Sequence, residues 1–202
     1  MSPAGESVPA AAESLAVSGE VGRLRAGRPR SEAALIRGAL AGSEADLEAL
    51  FRRFWPRAYR AAFLIVHDHA AAEDIAQEAF LAAIRRLDRF DRRRRFGPWL
   101  GTIVANRAID WARARAARRE TGDAGTDPPS PPDVPLGRYS QEVLTALAAL
   151  SPEHRAVIVL RYLLEYSPGE IARALELPRG TVNSRLRRGL DTLETRLREM
   201  ER

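Results

Sequence analysis

Four arginines and no acidic residue lie between Arg179 and Arg188 in the stretch LPRGTVNSRLRRGL. Guanidinium forks fit phosphate oxygens and the paired acceptors of a guanine edge, and an asparagine such as Asn183 fits the donor and acceptor of an adenine edge. A second cluster, Arg92, Arg93, Arg94 and Arg95, interrupts the chain in DRFDRRRRFG, and between Arg85 and Arg119 twelve arginines face three aspartates. That density attracts a phosphate backbone and makes binding salt-dependent. No comparable arrangement serves catalysis. The 202 residues include no cysteine, which removes disulfides, zinc–thiolate sites and thiol nucleophiles. The three histidines are scattered: His67 and His69 fall in a turn and His154 in the first turn of a helix, all read as surface or capping residues. No carboxylate cluster has metal-ligand spacing, no nucleophile sits beside a base, and no glycine loop is built to cradle phosphate. The residue types point to a polyanion partner, with no cofactor, no metal and no enzyme activity.

Positioning these clusters requires helices. Apolar residues make up 45% of the chain, enough for real cores, and the net charge is +5 with every basic residue an arginine. The totals fit codon bias in a GC-rich genome, so function is read only where arginines cluster. Residues 1–30, rich in Ala, Gly, Ser and Pro, read as a disordered tail. Helical periodicity then runs from 31 to 119 and from 140 to 202. The twenty residues between, 120–139, carry five prolines, three glycines and four acids and read as a flexible acidic linker. The expectation is an all-α protein of two small helical domains. The first holds 17 arginines against 11 acids and the second ten against nine. No run of about 18 apolar residues and no leader pattern occurs, so membrane insertion is not expected and the cytoplasm is.

Within the second domain, SPEH at Ser151 and SPGE at Ser167 each place a capping serine before a proline, and Glu170 completes a capping box. A helix from Pro168 to about Leu175 buries Ile171 and Leu175, ELPRG turns, and a longer helix starts near Gly180. This is a helix-turn-helix pattern. On the longer helix Val182, Leu186, Leu190, Leu193 and Leu197 form one apolar arc facing the core. Asn183, Ser184, Arg187 and Arg188 occupy the opposite side as candidate base readers, and Arg179, Thr181 and Arg185 flank them as candidate phosphate holders. In the first domain Ile75, Ala76, Ala79, Phe80, Ala83, Ile84 and Leu87 point inward. Asp74, Gln77, Glu78, Leu81 and Arg85 point outward, a mixture better suited to a protein partner than to DNA. A further helix from Pro98 to about Arg118 turns Leu100, Val104, Ala108 and Trp111 inward and leaves Asn106, Asp110 and Arg113 on a separate stripe.

AEDIAQEAFLAAIRRLDRF (72–90) with FGPWLGTIVANRAIDWARARAARR (96–119) resembles the second region of bacterial RNA polymerase sigma factors. LSPEHRAVIVLRYLLEYSPGEIARALELPRGTVNSRLRR resembles their fourth region. The two segments, in this order and with only a linker between, are similar to the extracytoplasmic-function (ECF) type of the sigma-70 class. The resemblance implies a transcription-initiation subunit that binds core RNA polymerase at its beta-prime clamp and beta flap, recognises promoter DNA and answers to an anti-sigma factor. It implies that Asp74, Gln77, Glu78 and Leu81 contact the clamp. It further implies that Arg92, Arg93, Arg94, Arg95, Trp99, Asn106, Asp110 and Arg113 serve the minus-10 element, with Asn106 reading a flipped base. The helix-turn-helix would serve the minus-35 element, and the acidic linker would imitate RNA in the polymerase exit channel.

Two departures stand out. After WL the family commonly has an aromatic and a basic residue, where this chain has Gly101 and Thr102; and Asn183 stands where many members carry Lys or Arg. One alternative is a helix-turn-helix regulator that is not a polymerase subunit, of the kind that ends response regulators. It would need a receiver of alternating strands and helices, and residues 31–119 show none. A basic helical nuclease would need the acidic cluster already found missing.

Overall fold

The computed structural model describes residues 30–120 and 140–200, so the expected tail and nearly all of the expected linker lie outside the described residues. Eight α-helices occur among those described, and no strand. The first four are α1 (Glu32–Leu40), α2 (Glu44–Val66), α3 (His69–Arg85) and α4 (Phe96–Glu120); the others are α5 (Gln141–Ala148), α6 (Pro152–Ile158), α7 (Pro168–Ala174) and α8 (Arg179–Met200). The chain is all-α, as the periodicity predicts. No described helix is long and apolar enough to cross a membrane.

Short side chains set the helix starts. Ser31, Ser43, Asp68, Ser140, Ser151 and Ser167 are N-caps whose oxygens accept a backbone N–H from the first turn. The capping box of Ser167 and Glu170 forms as its spacing predicts. α2 ends on His67 in the left-handed region at φ 53°, with its N–H donating to the Phe63 carbonyl at 2.7 Å. α4 begins two residues earlier than Pro98, because a proline in the first helical turn forfeits no intrahelical hydrogen bond. The Glu32 carboxylate of α1 accepts the Phe96 N–H there and ties α1 to the start of α4.

Alanine builds much of the core. Ala61, Ala62, Ala72, Ala76, Ala79, Ala83, Ala105 and Ala108 are wholly buried, and their size lets α2, α3 and α4 approach closely. Larger side chains fill the spaces between, among them Leu50, Ile65, Phe80, Leu100 and Val104. α6 packs on α8 around Val157, Leu160, Ile171 and Val182. α6 also packs against both α2 and α4, so the described residues on either side share one continuous apolar core. Nothing in the periodicity anticipates that join between the two helical groups.

The histidines prove more embedded than expected. The His69 ring stacks on Phe63 at 4.2 Å and its Nδ1 lies 2.8 Å from the Tyr59 hydroxyl. Burial, helped by the positive charge of Arg155 on α6, lowers the His67 pKa to about 4. Ser151 rather than His154 caps α6: its hydroxyl accepts the His154 N–H and lies 3.2 Å from His154 Nδ1.

Candidate nucleic-acid interface

α8 displays the face read from its sequence. Val182, Leu186 and Gly189 are buried, whereas Asn183, Ser184, Arg187 and Arg188 are exposed on the second and third turns. The α-helical turn underlies this division, because positions three or four apart share a face and those between lie on another. Gly189 packs closely on α6: a Cβ there would lie 2.8 Å from Ile158 Cδ1, so that side chain would have to shift. Arg179 is exposed, while Thr181 and Arg185 are half-buried. The apolar arc extends past the core, and Leu190 is 36% exposed.

The basic loop owes its shape to two phenylalanines. Phe90 and Phe96 are buried with ring centroids 5.9 Å apart, and Trp99 packs on both at 4.8 and 5.7 Å. Pinning the ends of so short a segment forces Asp91 and all four arginines, Arg92 to Arg95, into solvent. Asp91 shapes the turn, its carboxylate accepting the Arg93 N–H at 3.0 Å and its carbonyl the Arg94 N–H at 2.9 Å. Trp99 is half-buried at the mouth of a cleft of about 420 Å³ lined by Arg93, Arg94 and Arg95 on one side and Tyr166 and Arg173 on the other.

Asn106, Asp110 and Arg113 share an exposed stripe of α4 as read, and the second helical group reaches its edge. Asn106 Nδ2 donates to the Ala174 carbonyl at 3.0 Å, and Arg113 Nε pairs with the Glu153 carboxylate at 3.2 Å. Burial alone would raise the Glu153 pKa, but hydrogen bonds from its backbone and from Arg113 bring it below the usual value. A second cleft, about 350 Å³, gathers Asn106, Asp110 and Arg113 with Arg185 of α8. Residues assigned to two promoter elements therefore meet in one place.

On α3, Asp74, Gln77, Glu78 and Leu81 are all exposed, Leu81 to 44%. Glu78 forms an ion pair with Arg107 of α4. The inward set is buried, apart from Ile84, which is half-buried.

Residues 50–118 match the family described as Sigma-70 region 2, and residues 140–193 match Sigma-70, region 4. The RNA polymerase sigma factor CarQ of Myxococcus xanthus is 35% identical over 166 residues, covering 79% of this chain and 94% of CarQ. The ECF RNA polymerase sigma factor SigW of Bacillus subtilis is 33% identical, covering 70% of this chain and 83% of SigW. The chain belongs to the ECF sigma factors. As a member of the sigma-70 class it binds core RNA polymerase and directs transcription initiation at promoters. Sigma factors are in general initiation factors rather than catalysts. Among solved structures, the sigma factor RpoE in complex with the anti-sigma factor NepR from Bartonella quintana is similar with a TM-score of 0.61 and 26% identity over 76% of this chain and 97% of that one. CnrH in complex with the cytosolic domain of CnrY reaches 0.59 and 27% over 83% and 97%.

Four participants in the site escaped the sequence reading: Tyr166, Leu164, Glu153 and Ala174. The departure at Gly101 and Thr102 was the available signal. A Cβ on Gly101 would lie 2.6 Å from Leu164 Cδ1, and the Thr102 hydroxyl lies 3.2 Å from that of Tyr166.

Proposed function

We propose that this ECF sigma factor divides its work among three surfaces within region 2 (31–119) and region 4 (140–202), joined by the acidic linker 120–139. Region 4 reads the minus-35 element through Asn183, Ser184, Arg187 and Arg188 in the major groove, with Arg179, Thr181 and Arg185 on flanking phosphates. Region 2 holds the melted minus-10 strand with Arg92 to Arg95 and Trp99, while Asn106, Asp110 and Arg113 approach the flipped base. The α3 stripe of Asp74, Gln77, Glu78 and Leu81 docks on the beta-prime clamp. A membrane-independent cytoplasmic role, no catalytic step of its own, and control by an anti-sigma factor complete the reading; the solved relatives bound to anti-sigma factors support the last point.

The observation that carries this is the α8 face: two buried apolar residues and a buried glycine behind, an amide, a hydroxyl and two guanidinium groups in front, all in the N-terminal half of the helix. The clamp assignment is tested by Asp74→Arg with Glu78→Arg. Both are exposed, and the Glu78–Arg107 pair is a surface one worth little, so the helices should survive. Pull-down should show core binding weakened about ten-fold or more, with unchanged circular dichroism. Undiminished binding by a natively helical double variant would remove the clamp from this surface.

A further inference from the structure

We propose that Ser31 is a phosphorylation site, and that its phosphate seats among Arg37, Arg92, Arg94 and Arg95 and so withdraws the basic loop from promoter DNA. The effect on DNA rests on the assignment of that loop to the minus-10 strand. The acceptor and its seat are carried by separate observations.

The acceptor is marked by the chain before it. RLRAGRPRS places Arg23, Arg25, Arg28 and Arg30 ahead of Ser31 with no acid among them, and a kinase that selects substrates by charge reads such arginines through its own carboxylates. Among the N-cap residues of the described helices, Ser31 alone has an arginine three positions earlier. Ser31 is exposed, and its backbone is extended at φ −63° and ψ 152°, with α1 starting only at Glu32. A kinase cleft therefore reaches this hydroxyl without unwinding α1. Attack of Oγ on the γ-phosphorus of ATP forms the new O–P bond and breaks the bond to the bridging oxygen. ADP leaves, and the hydroxyl proton passes to the kinase's base.

The seat is already present. A cleft of about 480 Å³ is lined by Ser31, Glu32 and Arg37 at the start of α1 and by Arg92, Arg94 and Arg95 of the loop, with buried Ile36 among its walls. All four arginines are exposed, and among the described residues none of them has an ion-pair partner. The Glu32 carboxylate is engaged elsewhere, accepting the Phe96 N–H. Converging guanidinium groups repel one another, and a phosphate monoester, carrying about −1.5 to −2 at pH 7, relieves that repulsion and accepts charge-assisted hydrogen bonds from them. A guanidinium fork closed on the Ser31 phosphate is not available to a phosphate of the DNA strand. Phosphorylation thus lowers the charge of the loop and ties it to α1.

Mass spectrometry of the full-length factor isolated from its own cells, sampled in growth and under stress, should find phosphate on Ser31. Phosphoserine is then encoded at position 31 of the full chain. Phosphorus NMR should show the phosphate titrating well below its ordinary second pKa of about 6, and Arg37→Gln with Arg94→Gln should return it toward that value. Holoenzyme reconstituted with the phosphorylated factor should bind a single-stranded oligonucleotide, bearing the minus-10 sequence protected by wild-type holoenzyme, about ten-fold more weakly than unmodified holoenzyme does. Ser31 without phosphate in every sample, or a phosphate with an ordinary pKa, overturns the proposal. So does undiminished oligonucleotide binding by phosphorylated holoenzyme when Arg92→Gln, Arg94→Gln and Arg95→Gln together weaken the unmodified one. If that triple variant binds as the wild type does, the failure lies in the DNA assignment of the loop, and the mass and the NMR titration still decide the modification and its seat.

Discussion

His67 shows how one residue couples backbone shape to charge. It ends α2 in the left-handed conformation, its Nε2 is buried without a hydrogen-bond partner, and Arg155, whose own pKa burial lowers to about 10, adds positive charge nearby. Burial, first, and the Arg155 charge both disfavour the protonated ring. The folded pKa of about 4 lies below the ordinary 6.5, so the unfolded chain takes up the proton first as pH falls. His67 therefore contributes stability that is full above pH 6.5 and declines toward pH 4, by up to roughly 3 kcal/mol. His69, also lowered by burial, acts in the same direction. Denaturant unfolding at pH 7 and pH 5 should show the loss. His67→Asn, which tolerates the left-handed region, should shrink it, and an identical pH dependence in that variant would contradict this account.

Helices carry the part of the molecule most legible in sequence. Periodicity located the inward and outward faces of α3 and the exposed face of α8 that carries Asn183, Ser184, Arg187 and Arg188, because burial repeats with the helical turn and leaves a pattern in residue type. The same rule overstated the core at Leu190, where α8 runs beyond the surface its neighbours cover. It could not show the Asn106 bond to Ala174 or the Tyr166 bond to Pro98, since a side chain meeting a distant carbonyl has no period. Close approach between elements was equally hidden. A Cβ on Gly38 of α1 would fall 1.7 Å from the Oδ2 of Asp46, a side chain buried on α2. Gly38→Ala must push α1 off α2, at a cost of roughly 1 to 3 kcal/mol. Since Glu32 of α1 accepts the Phe96 N–H, the basic loop should loosen with it. Thermal unfolding checks the stability, and an unchanged midpoint would mean that α1 is not held in this way.

At the scale of the whole molecule, the arginine clusters lie on two helical groups that meet along α4, with the α8 face open and the exposed Asn106 stripe bonded to the second group through Asn106 and Arg113. A factor arranged in this way must be tested as holoenzyme, where core polymerase engages both regions. The decisive measurement is selection of initiating promoters from a library randomised upstream of the start site, using core polymerase loaded with the wild-type factor, Asn183→Ala, Arg188→Ala or Arg179→Ala. The wild-type factor should enrich two separated blocks, at minus-35 and minus-10. Asn183→Ala and Arg188→Ala should each cost about 1 to 3 kcal/mol at the preferred minus-35 sequence and relax the choice at one base, whereas Arg179→Ala should weaken all sequences alike. If the wild-type factor enriches no minus-35 block, or if both base-reader variants retain its full sequence preference, the reading face drawn on α8 is wrong.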